Sequence, residues 1–191
     1  MVDEMEMSTL QDQYADASLR EEATQVPTFP KGNYDGKVLS GEEKDAPDWI
    51  PQINGEVVKM WNLRVALDVN GKTITKFVKV CPRAIRVMTV GGERVNIAPD
   101  HKAYSKEYPK ITEAKLWGQL EALVTPKGQR LTIREVIQAA VDSTFSFFYT
   151  ESFKDKDGKY VNYKTDEERS ALLKGEYTAA NYCNGISKAK G

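Results

Sequence analysis

The sequence predicts a mainly β fold with a few helices, an α+β domain built as a small barrel whose helices are inserted between strands 3 and 4. Three observations predict it. Residues 57–69 carry apolar side chains at nearly every odd position (Val57, Trp61, Leu63, Val65, Leu67, Val69) and more polar ones between, the period of a half-buried strand. Asn70-Gly71 joins that run to a second β-rich run. Helical spacing is confined to the middle of the chain instead of alternating with strands, which favours a barrel or sandwich over a βαβ sheet.

Each element has its own local reason. A first strand is expected over Asn33–Ser40, followed by a loop over 41–55 that contains Gly41, Pro47, Pro51 and Asn54-Gly55 as breakers. The second strand runs over Glu56–Val69, with Trp61 on its core face. The third covers Lys72–Val80. Asn-Gly between them favours a type I′ turn, because both turn positions need positive φ. Arg86–Val90 and Arg94–Ile97 pair as a second hairpin through Gly91-Gly92, and 99–109 is a loop.

A helix begins at Thr112 as N-cap, places Leu116, Trp117, Leu120 and Leu123 on one face, and ends at Pro126. Thr132 and Glu135 form a capping box for a second helix with an Ile133, Val136, Ile137, Ala140, Val141 stripe. Thr144–Phe153 reads as an aromatic strand. It turns through Lys154-Asp155-Lys156-Asp157-Gly158 and pairs with Lys159–Tyr163. Thr165 and Glu168 cap a short helix stopped by Gly175, and Tyr177–Ile186 is a last β segment. The expected organisation is an acidic, disordered segment over 1–26, one β-barrel-like domain with inserted helices over 27–186, and a basic tail over 187–191.

The net charge of −1 over 191 residues conceals a segregation. Residues 1–26 hold seven acids and one base, Arg20, whereas the remainder holds 26 bases and 21 acids. Residues 69–92 carry Lys72, Lys76, Lys79, Arg83 and Arg86 and no acid. A basic body with an acidic arm suits a polyanionic partner, and also plain solvation. No apolar run is long enough for a membrane span, the acidic start lacks the order of a secretory signal, and two cysteines are too few for a disulfide scaffold. The expected setting is intracellular, with no membrane partner.

Motifs for chemistry are sparse. Phosphate-loop, dinucleotide and nucleophile-elbow patterns are absent, so no cofactor is expected. Cys81 and Cys183 have no second cysteine at zinc spacing, and a Cys–His pair with His101, the single histidine, has no local support. Asp155-Lys156-Asp157-Gly158 fails the calcium-loop pattern, since Gly158 falls fourth instead of sixth; a polar hairpin turn explains it. Glu42/Glu43 and Glu167/Glu168 are sequence neighbours, which point apart in a strand or lie about 100° apart on a helix. The reading is therefore non-catalytic.

What remains is cations interleaved with aromatic rings. Lys76, Phe77, Lys79, Arg83 and Arg86 lie on the third strand and its exit. Lys102, Tyr104, Lys106 and Tyr108 alternate on the 99–109 loop, and Lys154 and Tyr160 belong to the later hairpin. Single-stranded nucleic acid wants this combination, with cations following phosphates and rings on which bases stack.

The chain resembles phage-encoded, OB-fold-like single-stranded-DNA-binding proteins. The resemblance covers about residues 27–165. It lies in the opening Pro30-Lys31-Gly32-Asn33-Tyr34-Asp35-Gly36-Lys37-Val38, the long strand with its Asn-Gly hairpin, the central helices, and Phe145–Phe153 followed by Lys154-Asp155-Lys156-Asp157-Gly158-Lys159. It implies a five-stranded, OB-like small barrel that binds the strand on its strand 2–3 face and flanking loops. The matching positions are Arg64, Lys76 and Lys79 on the hairpin and Trp49 in the loop between strands 1 and 2. Many relatives of that kind carry the acidic tail at the C-terminus; here the C-terminus is basic (Lys188, Lys190) and the acidic run is N-terminal.

Two functions follow as expectations. The first is a single-stranded-DNA-binding protein of phage replication or recombination, in the cytoplasm of an infected bacterial host, with phage replication proteins as partners of the acidic segment and oligomerisation open. The alternative is a structural protein of the virion, such as a capsid decoration or tail component docking through its acidic arm.

Overall fold

A computed structural model describes residues 28–48, 50, 52–53, 55–83, 85, 87–90, 93–96 and 111–191. The expected acidic segment (1–26), Trp49, Arg86 and the 99–109 loop lie outside the described residues.

The strands are β1 (Gly32–Asp45), β2 (Lys59–Val69), β3 (Lys72–Val80), β4 (Val87–Val90), β5 (Glu93–Asn96), β6 (Thr144–Lys154), β7 (Tyr160–Val161) and β8 (Thr178–Lys188). The helices are α1 (Thr112–Val124), α2 (Ile133–Ala140) and α3 (Asp166–Lys174). The fold is mainly β with helices, in an open, antiparallel sheet. Its order is β3-β2-β1-β6, with β8 and the short β7 both on β6; β4 and β5 pair separately. In the large sheet the two central helices α1 and α2 fall between β3 and β6, where the sequence put them.

The β2–β3 hairpin forms as expected. Asn70 and Gly71 adopt φ of 54° and 77°, and the Asp68 carboxylate accepts the Gly71 N–H at 2.8 Å. From Val69 the register runs unbroken to the pair Trp61↔Val80. The β4–β5 hairpin also forms, over 87–90 and 93–96.

β1 is longer than expected, because Gly41 does not break it. The strand continues to Asp45 against Lys59, across a bulge between Val38 and Ser40. A Cβ on Gly41 would meet Ile137 Cγ2 at 2.7 Å, so this glycine marks a close approach of α2 to the sheet. β2 in turn begins at Lys59 instead of Glu56. Its odd-position rule holds from Leu63 to Val69, all buried, and fails at its start: Val57 is exposed, Val58 and Met60 are buried, and Trp61 is half-buried against the core. Both sheet faces are covered there, since Val58 and Met60 join Ile50, Cys81, Ile85 and Ala114 in a second apolar cluster. Two-sided burial erases the alternation.

The main core gathers Val38, Leu63, Val65, Leu67, Val78 and Val80 from the sheet, Leu116, Trp117 and Leu120 from α1, Val136 and Ile137 from α2, and Phe145, Phe147 and Tyr149 from β6. Leu123 and Ile133, expected on the apolar stripes, are exposed; both lie near helix ends, past the edge of the sheet contact. The N-cap of α1 is Ile111, without a side-chain cap bond, and not Thr112. The Thr132–Glu135 capping box on α2 is complete. On α3 the Thr165 hydroxyl accepts the Glu168 N–H at 3.1 Å, while the Glu168 carboxylate reaches back to the Lys164 N–H at 2.7 Å. Gly175 ends α3 in extended backbone.

β7 is two residues long, shorter than the expected Lys159–Tyr163: Lys159 is taken up in closing the turn, and Asn162 and Tyr163 fall outside the strand. The Asp155 carboxylate accepts N–H bonds from Asp157 and Lys159, both at 2.9 Å, and Gly158 takes φ +78°. β8 extends to Lys188, which pairs with Phe145, so Ser187 and Lys188 belong to the sheet and not to a separate tail.

Among the described residues no backbone pairing joins β3 to β8. α1 bridges the space between these edges. The Ile186 N–H donates to Gln119 Oε1 at 2.9 Å, Lys115 Nζ donates to the Asn184 carbonyl at 3.3 Å, and the Cys81 N–H donates to the Glu113 carbonyl at 2.9 Å.

Candidate nucleic-acid interface

Alternation along β3 divides its cations between two faces. Ile74, Val78 and Val80 turn inward and take Lys76 with them; Thr73, Thr75, Phe77 and Lys79 turn outward. The sequence reading put Lys76, Phe77 and Lys79 on one basic, aromatic strand, and they are on that strand, but Lys76 is not on the surface of the other two. Its ammonium sits half-buried, 5.4 Å from the Phe29 ring centroid, a cation–π contact. Burial lowers its pKa. Phe77 is 62% exposed and stands opposite Arg64 of β2, which is also exposed. Lys79, opposite Asn62, extends the same outer surface.

The space between β3 and β8 is a groove of about 590 Å³. Lys76, Phe77 and Lys79 form one wall; Tyr182, Cys183 and Asn184 of β8 and Thr150 and Ser152 of β6 form the other. Buried Tyr149 and Leu116, exposed Tyr160, and Thr112 and Glu113 of α1 complete the lining. Tyr160 is 65% exposed and Tyr182 49%. Lys154 holds its ammonium 4.7 Å from the Tyr160 ring centroid, so the later hairpin presents a ring already carrying a cation.

Of the residues singled out from sequence, Lys76, Phe77, Lys79 and Tyr160 therefore meet around one groove. Lys154 touches it through Tyr160, and Arg64 flanks it on the outer face of β2. Arg83 is exposed at the exit from β3 and does not line the groove. Trp49, Arg86, Lys102, Tyr104, Lys106 and Tyr108 lie outside the described residues.

Sequence reasoning missed Tyr182, Asn181, Asn184 and Tyr149. A period-two reading of Thr178–Lys188 separates Tyr182 from Asn181 and Cys183, yet all three line the groove, because pairing with β6 sets this strand along its edge. Tyr149 was hidden in an aromatic strand whose rings all looked like core.

One end of the domain is fastened by a buried ion pair. Arg169 of α3 donates from Nε and Nη2 to the two carboxylate oxygens of Glu151, at 2.6 and 2.8 Å, and from Nη2 to the Thr28 carbonyl at 3.3 Å. The Tyr163 hydroxyl donates to the same carboxylate at 2.7 Å. Burial alone would raise the Glu151 pKa; the hydrogen bonds from Arg169, Tyr163 and Thr28, with the guanidinium charge, outweigh it and hold the carboxyl below its ordinary range. The Asn181 amide clamps Phe29, accepting its N–H at 3.1 Å and donating to its carbonyl at 2.8 Å. Residues 28–29 are thus fixed beside the groove.

Among the described residues no three His, Cys, Asp or Glu side chains are grouped to hold a metal ion, and no helix is long and apolar enough to cross a membrane. Burial raises the thiol pKa values of both Cys81 and Cys183, the latter to about 12. Compared with known proteins, the chain matches no family model, no curated protein and no solved structure.

Proposed function

We propose that this chain is a non-catalytic single-stranded-DNA-binding protein of phage replication or recombination, acting in the cytoplasm of an infected bacterial host. The observation that carries the reading is the groove between β3 and β8, lined by exposed rings (Phe77, Tyr160, Tyr182) and by cations (Lys76, Lys79), with Lys154 over Tyr160. Rings of this kind accept stacked bases and the cations neutralise phosphates, without selecting a sequence.

The sheet order supports an OB-like, partly open five-stranded barrel. β1 lies between β2 and β6, β3 and β8 are the two edges, and helices connect the third and fourth strands. In such a barrel the strand 2–3 face and the loops after strands 1 and 4 contact the nucleic acid. Here those parts are the Arg64/Phe77/Lys79 surface, the segment between β1 and β2, and the β7–α3 arm that presents Tyr160. The acidic N-terminal segment would serve as a docking arm for replication partners.

Fluorescence anisotropy of a labelled oligothymidine of about 30 nucleotides, titrated at two salt concentrations, tests the proposal. Binding that weakens steeply with salt and resists duplex competitor is the expected result. Absence of binding at low salt overturns it and moves attention to the virion alternative, testable by copurification with particles.

A further inference from the structure

Among the described residues, the groove lining contains one buried polar group with no hydrogen-bond partner and one half-buried cation with no carboxylate beside it. Tyr149 is 2% exposed, and its hydroxyl is buried with no hydrogen-bond partner. A buried, unsatisfied hydroxyl costs free energy, and native structures hold few of them. Burial, with the neighbouring Cys183 thiol adding to it, keeps that phenol protonated. Lys76 is the second group: half-buried, with no carboxylate within 4.0 Å of its ammonium among the described residues. Both pack on Phe29, the Tyr149 ring edge-on at a centroid distance of 5.2 Å and the Lys76 ammonium 5.4 Å from the ring centre. Lys76, whose ammonium only donates, and Tyr149, whose hydroxyl has no partner, therefore line one cavity, whose volume falls within the range of small-ligand sites.

We propose that this cavity holds one unstacked nucleobase that presents paired acceptors, the O6/N7 edge of guanine, to Lys76 and Tyr149. The inference rests on the single-stranded-DNA reading and deepens it, adding one base-selective position to a groove that is otherwise indifferent to sequence. Three features favour a base over a phosphate group. The walls include Val78 and Leu116, which suit the faces of a ring and not a solvated anion. Glu113 also lines the cavity, where a carboxylate opposes an anion. The ammonium of Lys76 can donate to guanine O6 and N7, a common means of base readout.

Two measurements test it. Saturation-transfer NMR with dGMP should show saturation at the base protons, weaker for dAMP, and lost in Tyr149→Phe and in Lys76→Met, with folding of both variants checked by circular dichroism. In anisotropy, replacing one central thymine of the oligothymidine by guanine should raise affinity about tenfold, and Tyr149→Phe should remove that gain, so that the variant binds the two oligonucleotides equally. Oligothymidine binding with no guanine gain, and no dGMP signal, overturns the inference and leaves the proposed function standing. A dGMP signal without binding of any oligonucleotide does the reverse. Complete displacement of dGMP by inorganic phosphate overturns the base assignment in favour of a phosphate site.

Discussion

Arg169, on a helix with no buried residue, forms a two-pronged bond to the carboxylate of Glu151, whose side chain is 0% exposed. The contact does more than pair two charges. Arg169 also reaches the Thr28 carbonyl, so one guanidinium fastens the α3 arm, strand β6 and the start of the described chain together.

Removing Arg169 leaves the buried Glu151 carboxylate without its counter-charge, with only the Tyr163 and Thr28 hydrogen bonds beside it. Arg169→Ala should therefore lower unfolding free energy by about 3–5 kcal/mol, read by urea denaturation at neutral pH. The Glu151 pKa is depressed in the folded state, so its contribution is fully present above the ordinary carboxyl pKa of about 4.3 and is lost as pH falls through the lower folded value. The wild-type protein should lose stability on acidification below about pH 4, and Glu151→Gln should flatten that part of the profile. A variant profile parallel to wild type would show that other carboxylates dominate.

Gly36 lies mid-strand in β1 under two fully buried side chains. A Cβ there would meet Leu67 Cδ2 at 2.7 Å and Val65 Cγ1 at 2.8 Å. Val65 is β-branched and has little rotamer freedom to yield. Gly36→Ala should destabilise by about 1–3 kcal/mol, measured as a lower urea midpoint with an unchanged slope. A neutral result would mean that β1 can shift away from β2 at this point.

The two thiols should be inert in the folded protein. Cys81 is fully buried, and burial raises both thiol pKa values, that of Cys183 to about 12, so the thiolate fraction at pH 8 is very small. Ellman's reagent should give no rapid reaction in buffer and two thiols per chain in denaturant. Rapid native labelling of either would contradict the packing around it.

Phe77 and Lys79 share a surface and differ in what they offer. Phe77→Ala should weaken oligothymidine binding by about 1–3 kcal/mol with little change in stability, since the ring is 62% exposed. Lys79→Ala should instead reduce the salt dependence, lowering the slope of log affinity against log salt by about one. Equal effects of both variants on the slope would argue against stacking by Phe77.

Much of the frame was legible because it is encoded locally. Asn70-Gly71 specifies its turn through two positive φ values, and Thr132 with Glu135 specifies a helix start through reciprocal hydrogen bonds. These need no knowledge of the rest of the chain. The extension of β1 past Gly41 was not legible, because that glycine answers to Ile137, nearly one hundred positions away. The inverted burial of Val58 and Met60 likewise depends on a second apolar cluster assembled from distant segments. For the candidate interface, composition pointed to Lys76, Phe77, Lys79 and Tyr160, but only strand phase separates Lys76 from its neighbours, and only the β6–β8 pairing supplies Tyr149 and Tyr182.

The way α1 spans the β3 and β8 edges has a mechanical consequence. Edges joined by a backbone ladder part only if several bonds break together. Here β8 is held to α1 by two hydrogen bonds involving the Gln119 and Lys115 side chains, and by apolar contact. Such a junction can breathe at a cost well below that of global unfolding. If the groove takes single-stranded DNA as proposed, a long strand could then slip in sideways at any internal position, so that a closed circle, which has no end to thread, would be as accessible as a linear one.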